Sequence, residues 1–196
     1  MKKFNAFLAL AGAFLCVPLA QALPIMFVAN LSGPAEAPPN ASPGTGTATV
    51  VIDTDANTLV IDAVWAGLLG VTTVAHIHCC TAAPGAGTAG VAVTPSTLPG
   101  FPAGVQAGTY HIALDLTDPA TYTGAFVTNF GGGTIQGAED ALFAGMQAGG
   151  AYFNIHSNLF QAGEIRGFLA IPEPASFALL GLGLLGLGVM RRQRSA

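Results

Sequence analysis

The central part of the chain consists of short runs rich in β-branched residues, separated by glycine, proline, asparagine and aspartate. This pattern is typical of β-strands joined by turns and loops. It is clearest over residues 109–116, where apolar and polar side chains alternate as they do on a strand with one buried face. The sequence therefore predicts an all-β domain, either a Greek-key sandwich or a barrel.

The predicted strands cover residues 25–31, 47–53, 59–65, 71–78, 109–116, 151–156 and 164–171. One short helix is predicted over residues 138–147, because Leu142, Phe143 and Met146 form an apolar stripe and two glycines follow its end. Residues 81–107 are rich in glycine and proline, which predicts a long irregular loop.

The first 22 residues have the pattern of a secretory signal peptide. Lys2 and Lys3 precede the apolar run 4–19, and Ala20 and Ala22 fit the small-residue positions of a cleavage site. We expect cleavage after Ala22, so that the mature protein begins at residue 23. The alternative is an uncleaved membrane anchor.

The last 25 residues combine three elements that point to a membrane-sorting tail. In chain order these are Pro172, Glu173 and Pro174, the uncharged apolar run 175–190, and Arg191, Arg192 and Arg194. The apolar run predicts a short transmembrane helix, and the arginines predict a cytoplasmic C-terminus. Residues 23–174 are then expected outside the cytoplasm.

This tail, residues 172–196, resembles the PEP-CTERM sorting tail of Gram-negative bacteria. The resemblance implies recognition by an exosortase-type membrane enzyme, transient anchoring in the inner membrane and removal of the helix. The alternative is a plain C-terminal anchor with an incidental Pro-Glu-Pro.

Charge narrows the range of partners. Over residues 23–174 Arg166 is the only lysine or arginine, whereas all ten acidic residues of the chain lie there. A surface without cations cannot bind nucleic acid by releasing counterions. An acidic domain with few charges instead suits the periplasm, the outer surface or an extracellular matrix.

Three segments of the domain carry a family resemblance. They are Leu31-Ser32-Gly33 with Glu36 shortly after, Ala75-His76-Ile77-His78, and Tyr152-Phe153-Asn154-Ile155-His156 followed by Gly163-Glu164-Ile165-Arg166-Gly167. Together they resemble the CHRD domain, named after chordin, over residues 26–170. The resemblance implies a β-rich extracellular domain, which we bound at residues 23–171. One departure is Cys79-Cys80-Thr81, where Gly-Pro usually follows His-x-His.

The histidines suggest a metal site. His76 and His78 are two apart on a predicted strand, so both rings leave the same face, and His156 is a candidate third ligand. The order of these histidines is similar to that of copper/zinc superoxide dismutase, which makes a related topology and a copper or zinc ion an open alternative. That enzyme's bridging histidine and zinc aspartate have no counterpart here. His111 is expected at the surface.

The same residues also allow purely structural roles. The histidines then form hydrogen bonds with the backbone, and Arg166 pairs with a carboxylate such as Glu164 or Glu36. Cys79 and Cys80 are adjacent, and export allows them to form a vicinal disulfide. Two free thiols or an intermolecular disulfide remain the alternatives.

The leading functional hypothesis is an exported, non-enzymatic module of the envelope or matrix without a cofactor, in contact with polysaccharide or another surface protein. No Gly-x-Ser-x-Gly, phosphate-loop or His-Glu-x-x-His motif occurs in the sequence, and no catalytic residue is predicted. The alternative is a small extracellular copper or zinc protein that uses His76, His78 and His156.

Overall fold

The computed structural model describes residues 23–173, which form one antiparallel sheet of eight strands with two helices beside it. The strands are β1 (Ile25–Ser32), β2 (Thr45–Asp53), β3 (Thr58–Ala66), β4 (Thr72–His78), β5 (Val91–Val93), β6 (Gly108–Asp115), β7 (Tyr152–Ser157) and β8 (Ile165–Phe168). The helices are α1 (Gly124–Asn129) and α2 (Ile135–Gln147). This confirms the all-β prediction.

The strands lie in the order β5-β4-β7-β8-β1-β2-β3-β6. The sheet curls into a half-barrel, which corresponds to the barrel alternative rather than to a two-sheet sandwich. Strand β8 joins two halves, since it pairs with β7 on one side and with β1 on the other. The connections from β3 to β4, from β5 to β6 and from β6 to β7 cross between these halves.

The core lies on the concave face of the curled sheet. Alternate residues of β1, β2 and β3 are buried there, as period-2 patterning requires, among them Phe27, Val50 and Ile61. Helix α2 covers part of this core with Leu142 and Met146, the residues of its predicted apolar stripe.

The loop after β5 closes the curled sheet. Its Leu98 N–H donates to the Ala75 carbonyl of β4 at 3.0 Å. Farther along this loop, the ring of Phe101 stacks on Trp65 of β3 with centroids 5.0 Å apart, and packs edge-on against Tyr110 of β6. The irregular loop predicted over 81–107 therefore contributes to the core, and the three-residue strand β5 lies within it.

Helix α1 was not predicted, and helix α2 was predicted too short. Helix α1 follows Thr123, whose hydroxyl oxygen accepts from the Phe126 N–H at 3.2 Å. Helix α2 begins at Ile135, three residues before its predicted start, because Thr134 caps it by accepting from the Gly137 N–H at 3.0 Å.

The predicted signal peptide 1–22 and the predicted transmembrane helix 175–190 lie outside the described residues. Among residues 23–173, no helix is both long and apolar enough to cross a membrane. Pro172 and Glu173 are the last described residues, and both are exposed.

Candidate metal centre

Two neighbouring strands bring the three predicted histidines together. His76 and His78 leave the same face of β4, and β7 pairs with β4 so that Asn154 lies opposite His76. His156 follows two residues after Asn154 on that face. The ring centroids lie 5.2 Å apart for His76 and His156, and 5.6 Å apart for His76 and His78.

One nitrogen of each ring is held by a backbone carbonyl. The three bonds run from His76 Nε2 to the Ser96 oxygen (2.8 Å), from His78 Nδ1 to the Ala89 oxygen (2.9 Å), and from His156 Nδ1 to the Gln161 oxygen (2.8 Å). A carbonyl oxygen only accepts, so each of these nitrogens carries a hydrogen. In a neutral imidazole the opposite nitrogen then has a free lone pair.

The three nitrogens with free lone pairs point toward one another. They are Nδ1 of His76, Nε2 of His78 and Nε2 of His156, and they lie within 4.8 Å of one another. Nδ1 of His76 is 3.3 Å from Nε2 of His156, yet two lone pairs cannot form a hydrogen bond. Nε2 of His78 is buried and has no hydrogen-bond partner among the described residues. A cation at the centre would satisfy all three nitrogens.

The separation of His76 Nδ1 and His156 Nε2 fits a tetrahedral ion, whereas nitrogens as far apart as 4.8 Å would have to move closer to share one. At a metal–nitrogen distance of about 2.0–2.1 Å, two tetrahedral ligands lie about 3.3–3.4 Å apart, which matches the 3.3 Å between the nitrogens of His76 and His156. Histidine ligands usually donate their other N–H to a carbonyl or carboxylate, which fixes the tautomer and the ring orientation. All three rings have this arrangement.

Electrostatics keep these rings neutral. Burial is the main cause that lowers the pKa of His76, His78 and His156 below the ordinary 6.5, and for His78 the pKa falls to about 4. Metal ions bind the unprotonated imidazole. The site is therefore in its metal-binding protonation state at neutral pH.

Comparison with known proteins identifies the domain around this site. Residues 27–169 match the CHRD domain family. The chain belongs to the CHRD domain family. Neither the curated proteins nor the solved structures include a significant match to the chain.

Directly after the CHRD domain, residues 170–194 match the PEP-CTERM protein-sorting motif. This motif implies export, processing by an exosortase-type system and transient anchoring in the membrane. Both resemblances stated from the sequence are thus confirmed.

The predicted ion pair of Arg166 with Glu164 is wrong. In the CHRD domain Arg166 Nε donates to the Ala35 carbonyl oxygen at 2.6 Å, and its nearest carboxylate oxygen, at 3.8 Å, belongs to Glu36. Glu36 was the other partner named from the sequence. Both side chains of this pair are almost fully buried.

Glu164 has different partners because it precedes β8, where the chain turns through Gly163 with φ of 132°. One of its carboxylate oxygens accepts from the Ser42 hydroxyl at 2.7 Å and from the Leu69 N–H at 2.5 Å. The other accepts from the Gly70 N–H at 3.1 Å. Burial alone raises the pKa of Glu164, but these bonds and one from Ser157 outweigh it and the pKa is lowered.

Among the described residues, the predicted cysteines and His111 do not join the histidine cluster, and Pro174, Arg191, Arg192 and Arg194 lie outside the described residues. A disulfide joins Cys79 and Cys80, and it packs against Gly145 of α2, where a Cβ would meet both sulfur atoms. His111 is exposed, as predicted, and its Nδ1 lies 2.7 Å from Oδ1 of Asp62.

Several residues that shape the site were missed from the sequence. The carbonyls of Ala89, Ser96 and Gln161 orient the rings, and backbone groups leave no trace in side-chain patterns. Tyr152 stacks on His78 with centroids 4.7 Å apart. Tyr152 belongs to the quoted Tyr-x-Asn-x-His element, two residues before Asn154 and on the same face of β7, so strand periodicity signalled its position.

Proposed function

We propose that the mature protein is a non-enzymatic module of the cell surface or extracellular matrix whose CHRD domain holds a copper or zinc ion. His76, His78 and His156 are the ligands. Imidazole nitrogens suit both metals. This unites the two functional hypotheses drawn from the sequence, because sorting determines where the domain works and the histidines determine what it binds.

The observation that carries the proposal is the convergence of three unprotonated nitrogens. A framework histidine gains from hydrogen bonds at both ring nitrogens, whereas His78 leaves Nε2 buried and unpartnered among the described residues. An unsatisfied buried polar atom costs about 1–3 kcal/mol. A bound ion removes this cost, which is the simplest physical reason for the arrangement.

The outer nitrogens argue against acid–base catalysis by the rings themselves. Each of the three rings donates its N–H to a backbone carbonyl, so none has a nitrogen left to exchange protons with a substrate once an ion is bound. General acid–base catalysis needs such a group within reach of the substrate.

The test compares His76→Ala with His111→Ala. Both variants remove one imidazole, but His111 is exposed and distant in sequence from the ligand set. Each protein is produced from the full chain, purified after export without chelator, and analysed for metal content and melting temperature. Wild type and His111→Ala should carry stoichiometric copper or zinc, and added metal should raise their melting temperatures. His76→Ala should lose both properties.

The proposal fails if wild-type protein carries no metal and its melting temperature ignores added copper and zinc. The three histidines would then be framework residues. Loss of metal from His111→Ala would also contradict the assignment, because binding would then depend on surface imidazoles.

A further inference from the structure

The ligands of the proposed ion are all neutral. Three imidazoles leave a bound Cu²⁺ or Zn²⁺ with its double positive charge, and no carboxylate or thiol joins their cluster within residues 23–173. Metal sites with three protein ligands keep a fourth position for water or an external molecule. Which external ligand binds at this fourth position depends on the route by which a molecule can reach it and on the charge around it.

Access is from the side of the loops. All three imidazoles rise from one face of β4 and β7, so these strands supply no ligand on the side of the ion away from the sheet. The loops on that side lie at the surface, where Ser96 and Gln161 are exposed. His156 is half-buried, whereas His76 and His78 are buried. An external molecule therefore approaches past His156.

One buried cation, Arg166, lies near the site. The guanidinium carbon of Arg166 lies 4.8 Å from the ring centroid of Tyr152, which in turn stacks on His78. Arg166 is thus separated from His78 by one aromatic ring. Its partner Glu36 compensates only in part at neutral pH, because burial raises the pKa of Glu36 to about 7.

Resting on the metal site of the proposed function, we propose that the fourth ligand is a carboxylate from outside the chain, and that the ion captures acidic molecules for the domain. The carboxylate oxygen displaces the water on the ion and neutralises part of its charge. Arg166 is the only lysine or arginine among residues 23–173 and is itself 5 % exposed, so the ion is the accessible cation of this site to which such a molecule can bind. A free acid and a polymer-borne carboxylate share this chemistry.

The test uses Co²⁺ as a coloured substitute in the exported protein, because its visible absorption bands report coordination. Acetate is titrated into the loaded protein in a buffer that does not coordinate metal. We expect a saturable change of the bands in wild type and in His111→Ala. Polygalacturonate provides the second arm. A response at much lower carboxylate concentration than acetate identifies a polymer as the source, whereas an equal response identifies small acids.

The outcomes separate the two proposals. Absence of Co²⁺ bands that depend on His76 would overturn the metal site and this inference together. Bands that depend on His76 but ignore acetate up to about 100 mM, a hundredfold above a millimolar Kd, would overturn the inference alone.

A second variant tests the role of charge. Glu36→Gln removes the carboxylate beside Arg166 while keeping its shape, so acetate should bind about three- to tenfold more tightly. Unchanged or weaker acetate binding would show that the charges of Arg166 and Glu36 do not influence the bound anion. It would contradict the electrostatic argument.

Discussion

The ring of Tyr152 lies flat against the ring of His78, with centroids 4.7 Å apart and planes inclined by 4°. The hydroxyl oxygen of Tyr152 lies 3.2 Å from both the nitrogen and the oxygen of Ala89, the residue whose carbonyl also accepts from His78. One tyrosine therefore supports this ligand twice, through its ring and through the peptide that orients the imidazole.

Two substitutions separate these roles. Tyr152→Phe keeps the stack and should lower the free energy of unfolding by about 1 kcal/mol, the net worth of a hydrogen bond. Tyr152→Leu also loses the aromatic contact, worth a further 0.5–1.5 kcal/mol or so, and should weaken metal binding. Urea unfolding measures the stability of each variant, and calorimetric metal titration measures its metal affinity. Equal metal affinity in the two variants would contradict a role of the stack in fixing His78.

The backbone at Ser96 gives a second prediction. Its φ is 75°, a left-handed conformation that suits glycine, and its carbonyl holds His76 Nε2 at 2.8 Å. Ser96→Gly should retain stability and metal affinity, whereas Ser96→Val should lose about 1–2 kcal/mol of stability. The valine variant should also bind metal more weakly, because its backbone leaves the position that orients His76. Equal behaviour of the two variants would show that this conformation is not required.

Packing of helix α2 on the disulfide gives a third prediction. A Cβ at Gly145 would meet the sulfur atoms of both Cys79 and Cys80. Gly145→Ala should therefore destabilise the domain by about 1–3 kcal/mol through overpacking. Gly124→Ala is the matched control, because that glycine is exposed in α1 and a Cβ there meets nothing within 4 Å. Thermal unfolding measures the stability of both variants. An equal loss of stability in the two would contradict the packing argument.

The buried carboxyl of Glu36 makes stability depend on pH. Burial raises its folded pKa to about 7 from the ordinary 4.5, so the folded state favours the protonated form. This contribution to stability is fully present below pH 4.5 and is lost as the pH rises toward 7. Glu36→Gln should remove that dependence and be more stable than wild type at pH 8. Urea unfolding at several pH values measures the stability of both proteins. Parallel curves of stability against pH for wild type and Glu36→Gln would contradict this prediction.

Glu173 lies exposed at the end of the described residues, directly after Pro172. It is the charged residue of the Pro-Glu-Pro element within the matched sorting motif, so Glu173→Ala should block processing and leave the protein in the membrane fraction. Mass analysis of the exported protein measures removal of the tail. Normal processing of the variant would show that another element is recognised.

The sequence predicted most strands within two residues because their apolar alternation has a direct cause in burial on one face. Phe27 and Ile61 are fully buried, as this pattern requires. It also predicted that His76, His78 and His156 come together, since residues two apart on a strand share a face. It missed β5 and α1, whose three and six residues are too short for a periodic signal.

Long-range polar partners were harder to predict. The choice between Glu164 and Glu36 for Arg166 depends on where the loop before β2 lies over β8, which sequence distance does not determine. The position of the Ser96 carbonyl, which holds His76, depends on a φ that serine rarely adopts. Such contacts follow from tertiary structure rather than from local preference.

The position of β8 near the middle of the sheet also bears on how the protein leaves the cell. A chain that is exported with its N-terminus leading exposes β1–β3 with β6, and β4, β5 and β7, as two partial sheets. Their facing edges stay unpaired until residues 165–170 have crossed the membrane, and unpaired edges attract other chains. The sorting motif matched over residues 170–194 follows directly, so the segment that completes the sheet and the segment that implies anchoring are neighbours in the chain. The strand that joins the two partial sheets is thus the last part of the domain to be exported.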